Sequence, residues 1–505
     1  MKLRDEFEDT EKMSTYLLAF VICDFDLKTK QTPTNNISVS VIASNDKIDQ
    51  TSFALDTAVA ITDYYEKFFK VKYPLPKQDL IAIPDFGAGA MENWGLITYR
   101  ETSLLYKEGE SSVKSQQWVA IVVAHELAHQ WFGNLVTMLW WNDLWLNEGF
   151  ASWMEYKGVD HIQPDWKMME QFWAAKLVPA LHLDSLASSH PVSVPVKDPK
   201  EIEAIFDTIS YKKGSSIIYM LENYIGEEDL QAGLSQYLES NQFGNAVTAD
   251  LWRALTKASR RGVDVEEMMN TWTLQMGYPL ISLSRTAGEG EGELWSVKQA
   301  RFLSSAHLNT TVKQSSRFNF SWTVPVQLMT NLGPTIFQLV LNTSKAGNNS
   351  DSALLRLPPG VSWIKANVNG SGYYRVQYPP DIWTALIKQL KEDHTIFSSV
   401  DRAQLIDDAF SLCRAGQLNP EVPLSLVTYL VAETSLVPWQ TALAHLSTWG
   451  ELLEESTARN SLKRFILVLL ENVYKTLGWK DEGSHVDRSV KSYERSFSIF
   501  PFEGF

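Results

Sequence analysis

Cysteine is scarce in this sequence. Its 505 residues include only two cysteines, Cys23 and Cys413, which is too few for a disulfide framework. We expect both thiols to be unpaired and buried, although one long-range disulfide would also fit the sequence. Cysteine usage therefore leaves the redox compartment open.

Long apolar runs are also lacking. No run reaches the roughly 18–20 residues that a membrane-spanning helix requires. The apolar stretch from Leu17 to Cys23 is short, follows an acidic segment and has no small-residue cleavage site. We therefore interpret it as a buried strand rather than as the core of a signal peptide.

Positive charge is in deficit, with 45 Lys and Arg against 60 Asp and Glu and a net charge of −15. This balance argues against nucleic acid as a partner. The hydrophobic share of 45% and the charged share of 21% are those of an ordinary globular protein. A chain of this length should fold into about two to four domains.

The periodicity of apolar residues changes along the chain. It predicts a strand at Ile37–Ile42, a helix over 52–70, further strands over 79–100, and helices over about 115–132 and 145–156. The middle of the 115–132 helix is apolar on every face, which predicts a buried core helix. Gly133 and Asn134 suit the C-terminal cap of that helix.

The second half of the sequence has a different character. Alternating apolar and polar residues over about 278–374, punctuated by Gly, Asn and Pro, predict a small antiparallel β-domain. Amphipathic helices such as Asp401 to Arg414 dominate from about residue 380 onward.

The segment His125–His129 reads HELAH and is the central motif of the sequence. Residues four apart on a helix share one face, so both imidazoles can reach the same metal ion. Glu126 lies beside them and can act as a general base on water. Two solvated helix histidines are the alternative interpretation, but the surrounding helix is apolar, and buried imidazoles need partners.

A zinc hydrolase needs a third protein ligand and an open fourth position. Glu148, in the sequence WLNEGF, is the candidate because it begins a second helix after one loop. A carboxylate on a returning helix can face the two histidines, and His₂Glu is a catalytic zinc set.

These motifs resemble the gluzincin family of zinc aminopeptidases, of the membrane-alanyl and glutamyl aminopeptidase kind. In the family eighteen residues separate the HExxH motif from a Glu, as they separate His129 from Glu148 here, and the GAMEN motif matches Gly89–Asn93. The flanking sequences match as well, and the resemblance covers nearly the whole chain. It implies one Zn²⁺ per chain and peptide substrates with a free N-terminus.

The resemblance also implies a role for each motif residue. His125, His129 and Glu148 bind zinc, and Glu126 is the general base. Tyr211 donates a hydrogen bond to the tetrahedral oxyanion. The substrate-binding residues are those of the GAMEN segment, with Glu92 binding the substrate ammonium: Gly89, Ala90, Met91, Glu92 and Asn93.

The implied fold class is α+β and multidomain, apparently truncated at both ends. A remnant strand of an N-terminal β-domain covers 1–26. A thermolysin-like, mainly helical zinc catalytic domain follows over 27–277, then a β-sandwich over 278–374 and a truncated, solenoid-like helical domain over 375–505. Two other functions stay open at this point: a thermolysin-like endopeptidase, and an impaired isoform that binds peptides or regulates.

Six N-glycosylation sequons begin at Asn36, Asn309, Asn319, Asn342, Asn348 and Asn369. Their clustering favours a glycoprotein of the plasma membrane, the extracellular space or the secretory lumen, and the chain as written is also compatible with the cytoplasm. Full-length members of the family are often membrane-anchored, and some are dimeric.

Overall fold

The computed structural model describes residues 6–288, 290–305, 315–341, 352–478, 480 and 482–498. The chain divides into two compact units. The first comprises the chain up to Pro164 with Pro195–Phe206 and Ile225–Glu266, and the second comprises Asp165–Val194, Asp207–Tyr224 and the chain from Glu267 onward. Helices and sheets are both present, as expected for an α+β multidomain protein. The four domain boundaries stay a prediction.

The strands are β1 Asp26–Gln31, β2 Ser38–Ala43, β3 Lys77–Ile83, β4 Ala90–Met91, β5 Leu96–Arg100, β6 Val136–Met138, β7 Gly244–Ala246, β8 Pro279–Thr286, β9 Glu293–Arg301, β10 Val324–Thr330, β11 Gly333–Leu341, β12 Ser352–Leu357, β13 Ile364–Ala366 and β14 Arg375–Gln377.

The α-helices are α1 Ser52–Phe69, α2 Val113–His129, α3 Trp145–Ile162, α4 Met168–Phe172, α5 Val178–Asp184, α6 Gly214–Ile225, α7 Glu227–Asn241, α8 Thr248–Ala258, α9 Val265–Thr273, α10 Pro380–Glu392, α11 Ser399–Arg414, α12 Glu421–Val427, α13 Leu436–Leu452, α14 Ala458–Leu477 and α15 His485–Ser498.

A five-stranded sheet in the order β1-β2-β3-β5-β4 forms part of the first unit. The inner strands β2, β3 and β5 are parallel, and the outer strands β1 and β4 pair antiparallel to their neighbours. β4 is therefore an edge strand, with one side of its backbone not paired within the sheet.

Helices α1, α2 and α3 pack together in the first unit. The hydroxyl of Tyr65 on α1 lies 3.0 Å from the carbonyl oxygen of Ala124 on α2 and 2.9 Å from that of Met154 on α3. This side chain is fully buried, so its hydroxyl finds partners on both neighbouring helices at once. The contact joins the two helices that carry the HELAH and WLNEGF segments.

Most of the predicted elements are confirmed. The strand at Ile37–Ile42 is β2, and the helix over 52–70 is α1. α2 begins and ends close to the predicted positions, whereas α3 begins as predicted but ends at Ile162 rather than near residue 156. Residues 119–124 of α2 are all buried as expected, but Trp118, at the start of its apolar middle, is 49% exposed. The predicted cap is wrong, because α2 ends at His129 with Gln130 as its C-cap.

The prediction of a buried strand near the N-terminus is wrong. Thr15–Leu17 forms a short 3-10 helix, and residues 18–25 belong to no strand. Leu17 is buried, but Phe20 and Ile22 are 79% and 92% exposed. The described part of the segment 1–26 therefore contains one strand residue, Asp26, which begins β1.

The second unit contains a four-stranded sheet, β12-β9-β8-β14, and a three-stranded sheet, β11-β10-β13. Pairing is antiparallel among β8 to β13, which lie within the predicted range 278–374. The parallel pair joins β8 to β14, which lies just beyond that range. Helices α10 to α15 follow, as expected for the chain beyond residue 380.

Both cysteines are free thiols, as predicted, but Cys23 is exposed and Cys413 is only half-buried. Burial of both was therefore a wrong expectation. Across the part of the chain that the structure describes, no helix combines the length and apolar character that crossing a bilayer demands.

The close packing of α1 against α3 generates a first prediction. A Cβ atom at Gly158 would lie 2.7 Å from the Tyr65 hydroxyl and 3.0 Å from Cδ1 of Ile61. We expect Gly158→Ala to destabilise the protein by about 1–3 kcal/mol through overpacking, and to lower the midpoint of thermal unfolding followed by circular dichroism.

Gly450→Ala is the matched control, because Gly450 also lies in a helix and its added Cβ would meet no atom within 4 Å. The higher helix propensity of alanine should leave the midpoint unchanged or raise it. The packing argument is wrong if Gly158→Ala melts at or above the parent temperature.

Candidate metal centre

Two helices of the first unit bring the HELAH and WLNEGF segments together. His125 and His129 lie one turn apart in the last turns of α2, and Glu148 lies in the first turn of α3. His129 and Glu148 are 1% and 4% exposed. The apolar residues around this part of α2 hold these polar side chains out of water.

The three side chains converge on one point. Nε2 of His125 lies 3.1 Å from Nε2 of His129, and Oε2 of Glu148 lies 3.3 Å from each of these nitrogens. Ligand atoms bound at about 2.0–2.2 Å to a tetrahedral zinc ion are roughly 3.3–3.6 Å apart. Oε2 of Glu148 is buried and makes no hydrogen bond. The donor set and its spacing therefore fit one zinc ion.

The other nitrogen of each imidazole has a partner of its own. Nδ1 of His125 lies 2.5 Å from Oε2 of Glu155, and Nδ1 of His129 lies 3.0 Å from the carbonyl oxygen of Phe132. Both partners are acceptors, so each ring carries its proton on Nδ1 when neutral and presents the Nε2 lone pair to the site.

The charges in the site compensate one another. Burial alone would lower the pKa of His125, but the adjacent carboxylates of Glu148 and Glu155 outweigh it and raise the pKa to about 9. Burial would raise the pKa of Glu148, but the two histidines outweigh it and lower the pKa. The metal-free site therefore holds protons that a bound cation would displace.

Two further carboxylates border the site. Ligand-type atoms of Glu92, Glu126 and His129 all lie within 4.8 Å of one another, and all three residues are buried. Burial raises the pKa of Glu126 to about 8. A pKa near neutrality suits a group that both accepts and returns a proton.

The GAMEN segment lies at the edge of the first sheet. Ala90 and Met91 form β4, and Gly89 precedes it with its carbonyl accepting the backbone N–H of Arg100. The Asn93 side chain accepts from the Thr98 hydroxyl at 2.9 Å and donates to the carbonyl oxygen of Leu17 at 3.3 Å. The carboxylate of Glu92, in the same segment, lies beside His129 and Glu126.

Tyr211 belongs to the second unit, where it lies half-buried in a π-helical segment, Ile209–Lys213. Asp207 anchors this segment, since its Oδ1 accepts the backbone N–H groups of Ile209 and Ser210, each at 3.0 Å. π-Helical turns occur frequently at functional sites. The role of Tyr211 stays a prediction.

The sequence analysis missed two residues of this site. Glu155 follows Glu148 by seven residues, two helical turns, which is a signal that could have found it. Tyr16 comes from the N-terminal segment, and its hydroxyl accepts a hydrogen bond from the Asn147 amide at 3.3 Å. Burial, with the charges of Glu92 and Glu148, raises the Tyr16 pKa.

Two imidazoles and a carboxylate converge here from adjacent helices, and a further buried carboxylate lies beside them. This is the arrangement of the His₂Glu class of metallohydrolase sites. Comparison with known proteins narrows this class. Residues 53–272 match the model of the Peptidase family M1 domain, and residues 363–496 match that of the ERAP1-like C-terminal domain.

Similar proteins agree with these matches. The chain is 41% identical to endoplasmic reticulum aminopeptidase 1 of Mus musculus, over 97% of this chain and 54% of that protein. It is 41% identical to glutamyl aminopeptidase of Homo sapiens, over 98% of this chain and 50% of that protein. The chain belongs to the M1 peptidase family, and it spans about half the length of these relatives.

The contact between Glu155 and His125 generates a second prediction. Glu155→Gln replaces a charged acceptor with an amide, so we expect zinc affinity to fall about 10- to 100-fold. Competition with a chromogenic zinc chelator measures this change.

Glu66→Gln is the control, because Glu66 is another buried carboxylate of the first unit and accepts the backbone N–H of Tyr73 at 2.9 Å. Zinc affinities that are equal in the two variants would show that Glu155 does not orient His125.

Proposed function

We propose that this chain is a zinc metallo-aminopeptidase, which hydrolyses the first peptide bond of peptides with a free N-terminus. The observation that carries the proposal is the convergence of His125, His129 and Glu148, with Glu92 and Glu126 buried beside them. The similar proteins are named aminopeptidases, which supports the proposal. The finer architecture proposed with it is thermolysin-like over 27–277, with a β-sandwich and a solenoid-like helical domain following.

His125, His129 and Glu148 are the proposed zinc ligands. Bound zinc would polarise the scissile carbonyl and make water acidic enough to deprotonate near neutral pH. Glu126 accepts the proton of the attacking water and delivers it to the leaving amine. Its burial supports this role, because a carboxylate kept from bulk water exchanges its proton within the site.

Glu92 is the proposed contact of the substrate ammonium. Its buried carboxylate lies within 4.8 Å of ligand-type atoms of Glu126 and His129, so an ammonium bound there brings the first peptide bond close to the zinc ligands. The edge strand β4 offers backbone groups along which an extended peptide can lie. This placement favours removal of one residue over internal cleavage.

Tyr211 is the proposed donor to the tetrahedral oxyanion. A hydroxyl in that role stabilises the transition state by about 2.7–4 kcal/mol. Support for Tyr211 comes from the family resemblance of its segment and from the anchoring of that segment by Asp207.

The secretory pathway or the plasma membrane is the proposed location. Some of the relatives carry endoplasmic reticulum in their names, and the sequon residues Asn36, Asn319 and Asn369 are exposed. The sequons at Asn309, Asn342 and Asn348 lie outside the described residues.

Glu126→Gln tests the general base. The amide cannot accept the proton of water, so we expect turnover of an alanyl or glutamyl amide to fall about 10²- to 10⁴-fold while zinc content stays at the parent value. Turnover within about tenfold of the parent would contradict a general-base role. Glu66→Gln, a buried change of the same kind outside the site, should retain activity.

Glu92→Ala tests whether the Glu92 carboxylate selects peptides with a free N-terminus. Loss of a charged partner should lower kcat/KM on peptides with a free N-terminus roughly 10- to 100-fold. N-acetylated versions of the same peptides lack the ammonium, so the parent should cleave them poorly and the variant no worse.

The two open alternatives give different results in this assay. Efficient cleavage of acetylated peptides or of internal bonds by the parent would identify an endopeptidase. Peptide binding by the zinc-loaded parent without turnover of any substrate would identify a regulatory binder.

A further inference from the structure

A second group of ligand-type side chains lies in the second unit. His182 on α5, Asp407 on α11 and His445 on α13 place one imidazole nitrogen or carboxylate oxygen each within 4.8 Å of the others. Each residue comes from a different helix. None of them belongs to the candidate zinc centre or to its predicted substrate contacts.

Both imidazoles point at the same oxygen atom. Nε2 of His445 lies 2.8 Å and Nε2 of His182 lies 3.2 Å from Oδ1 of Asp407. Ligand atoms around a tetrahedral zinc ion are roughly 3.3–3.6 Å apart. The His182 distance is close to this spacing, whereas the His445 distance is that of a hydrogen bond and must lengthen when an ion enters. The His182 side chain is 47% exposed and has room to rotate towards an ion.

Asp407 and His445 are already oriented. The Asp407 side chain is 1% exposed, and its other oxygen accepts a hydrogen bond from Nη1 of Arg375 at 2.5 Å. The ring of His445 stacks on Phe410 with centroids 4.9 Å apart and planes 9° from parallel. Packing therefore holds Asp407 and His445 in place, and the exposed His182 lies where an ion can enter from solvent.

The charge of the cluster favours a cation. Asp408 also lies against Arg375, 3.2 Å from Nη1, so two buried carboxylates share one guanidinium.

We propose that His182, Asp407 and His445 form a second metal site, which binds Zn²⁺ with two imidazole nitrogens and one carboxylate oxygen. Imidazole and carboxylate ligands together suit zinc. The remaining coordination position faces solvent beside His182. Because its ligands lie on α5, α11 and α13, the ion links these three helices and stabilises the second unit.

A zinc-free network is the competing account. In that account both imidazoles donate Nε2–H to Asp407, and the cluster satisfies a buried carboxylate without any ion. The two accounts differ in how many zinc ions the chain binds and in whether zinc changes its thermal stability.

The experiment measures bound zinc by inductively coupled plasma mass spectrometry after equilibration with a zinc buffer. We expect two zinc ions in the parent, one in His182→Ala, one in His129→Ala and none in the double variant. His394→Ala is the control, because the imidazole of His394 belongs to no ligand-type group among the described residues, and it should keep both ions.

Thermal unfolding of His129→Ala with and without zinc gives a second readout. Zinc should raise the midpoint in this background, and His182→Ala should abolish the rise. Equal zinc content in the parent and in His182→Ala, or a zinc-induced rise that persists in the double variant, would overturn the proposal. If His129→Ala does not fold, loss of one zinc between the parent and His182→Ala decides the question.

Discussion

Charge buried between α2 and α3 is the constraint around which the first unit is built. Glu126, His129 and Glu148 are each at most 6% exposed, and an isolated ion removed from water costs several kcal/mol. Such groups are tolerated only when they compensate one another. The short distances among His125, His129 and Glu148 are therefore required for folding as well as suited to a metal ion.

The surrounding helices make this arrangement rigid. Tyr65 joins α1 to both α2 and α3, and the absence of a side chain at Gly158 allows α1 to approach α3 closely. Glu155 and the carbonyl of Phe132 then set the direction of each imidazole. Orientation by such partners commonly determines metal affinity as much as the ligands do.

The second unit also depends on buried charge pairs. Arg402 donates two hydrogen bonds to the carboxylate of Glu433, at 2.6 Å and 2.9 Å. Lys365 donates to Asp401 at 2.9 Å. Removal of one partner from such a pair costs about 3–5 kcal/mol, because the other charge stays buried. The Lys365–Asp401 pair joins β13 to α11, and the Arg402–Glu433 pair joins α11 to the segment that precedes α13.

Local sequence patterns predicted elements well where burial followed from the chain's own periodicity. The helix α1 is an example, because its apolar residues recur at helical spacing, and the middle of α2 was expected to be buried because it is apolar on every face. The segment near Phe20 and Ile22 shows where this reasoning fails. An apolar pattern states that a segment can be buried, but it does not name the surface that would cover it.

By itself the sequence determined the ligand-bearing residues that helical spacing brings together. His125 and His129 share a helix face because of the fixed rise and turn of the α-helix. The place of Glu148 at the start of the next helix made it the candidate third ligand, and family resemblance added Glu92. Only the tertiary structure placed Tyr16 beside Asn147, and only helix packing joined His182 to Asp407 across 225 residues of sequence. Contacts within a helix depend on geometry that every helix shares, whereas contacts between helices depend on how the whole core packs.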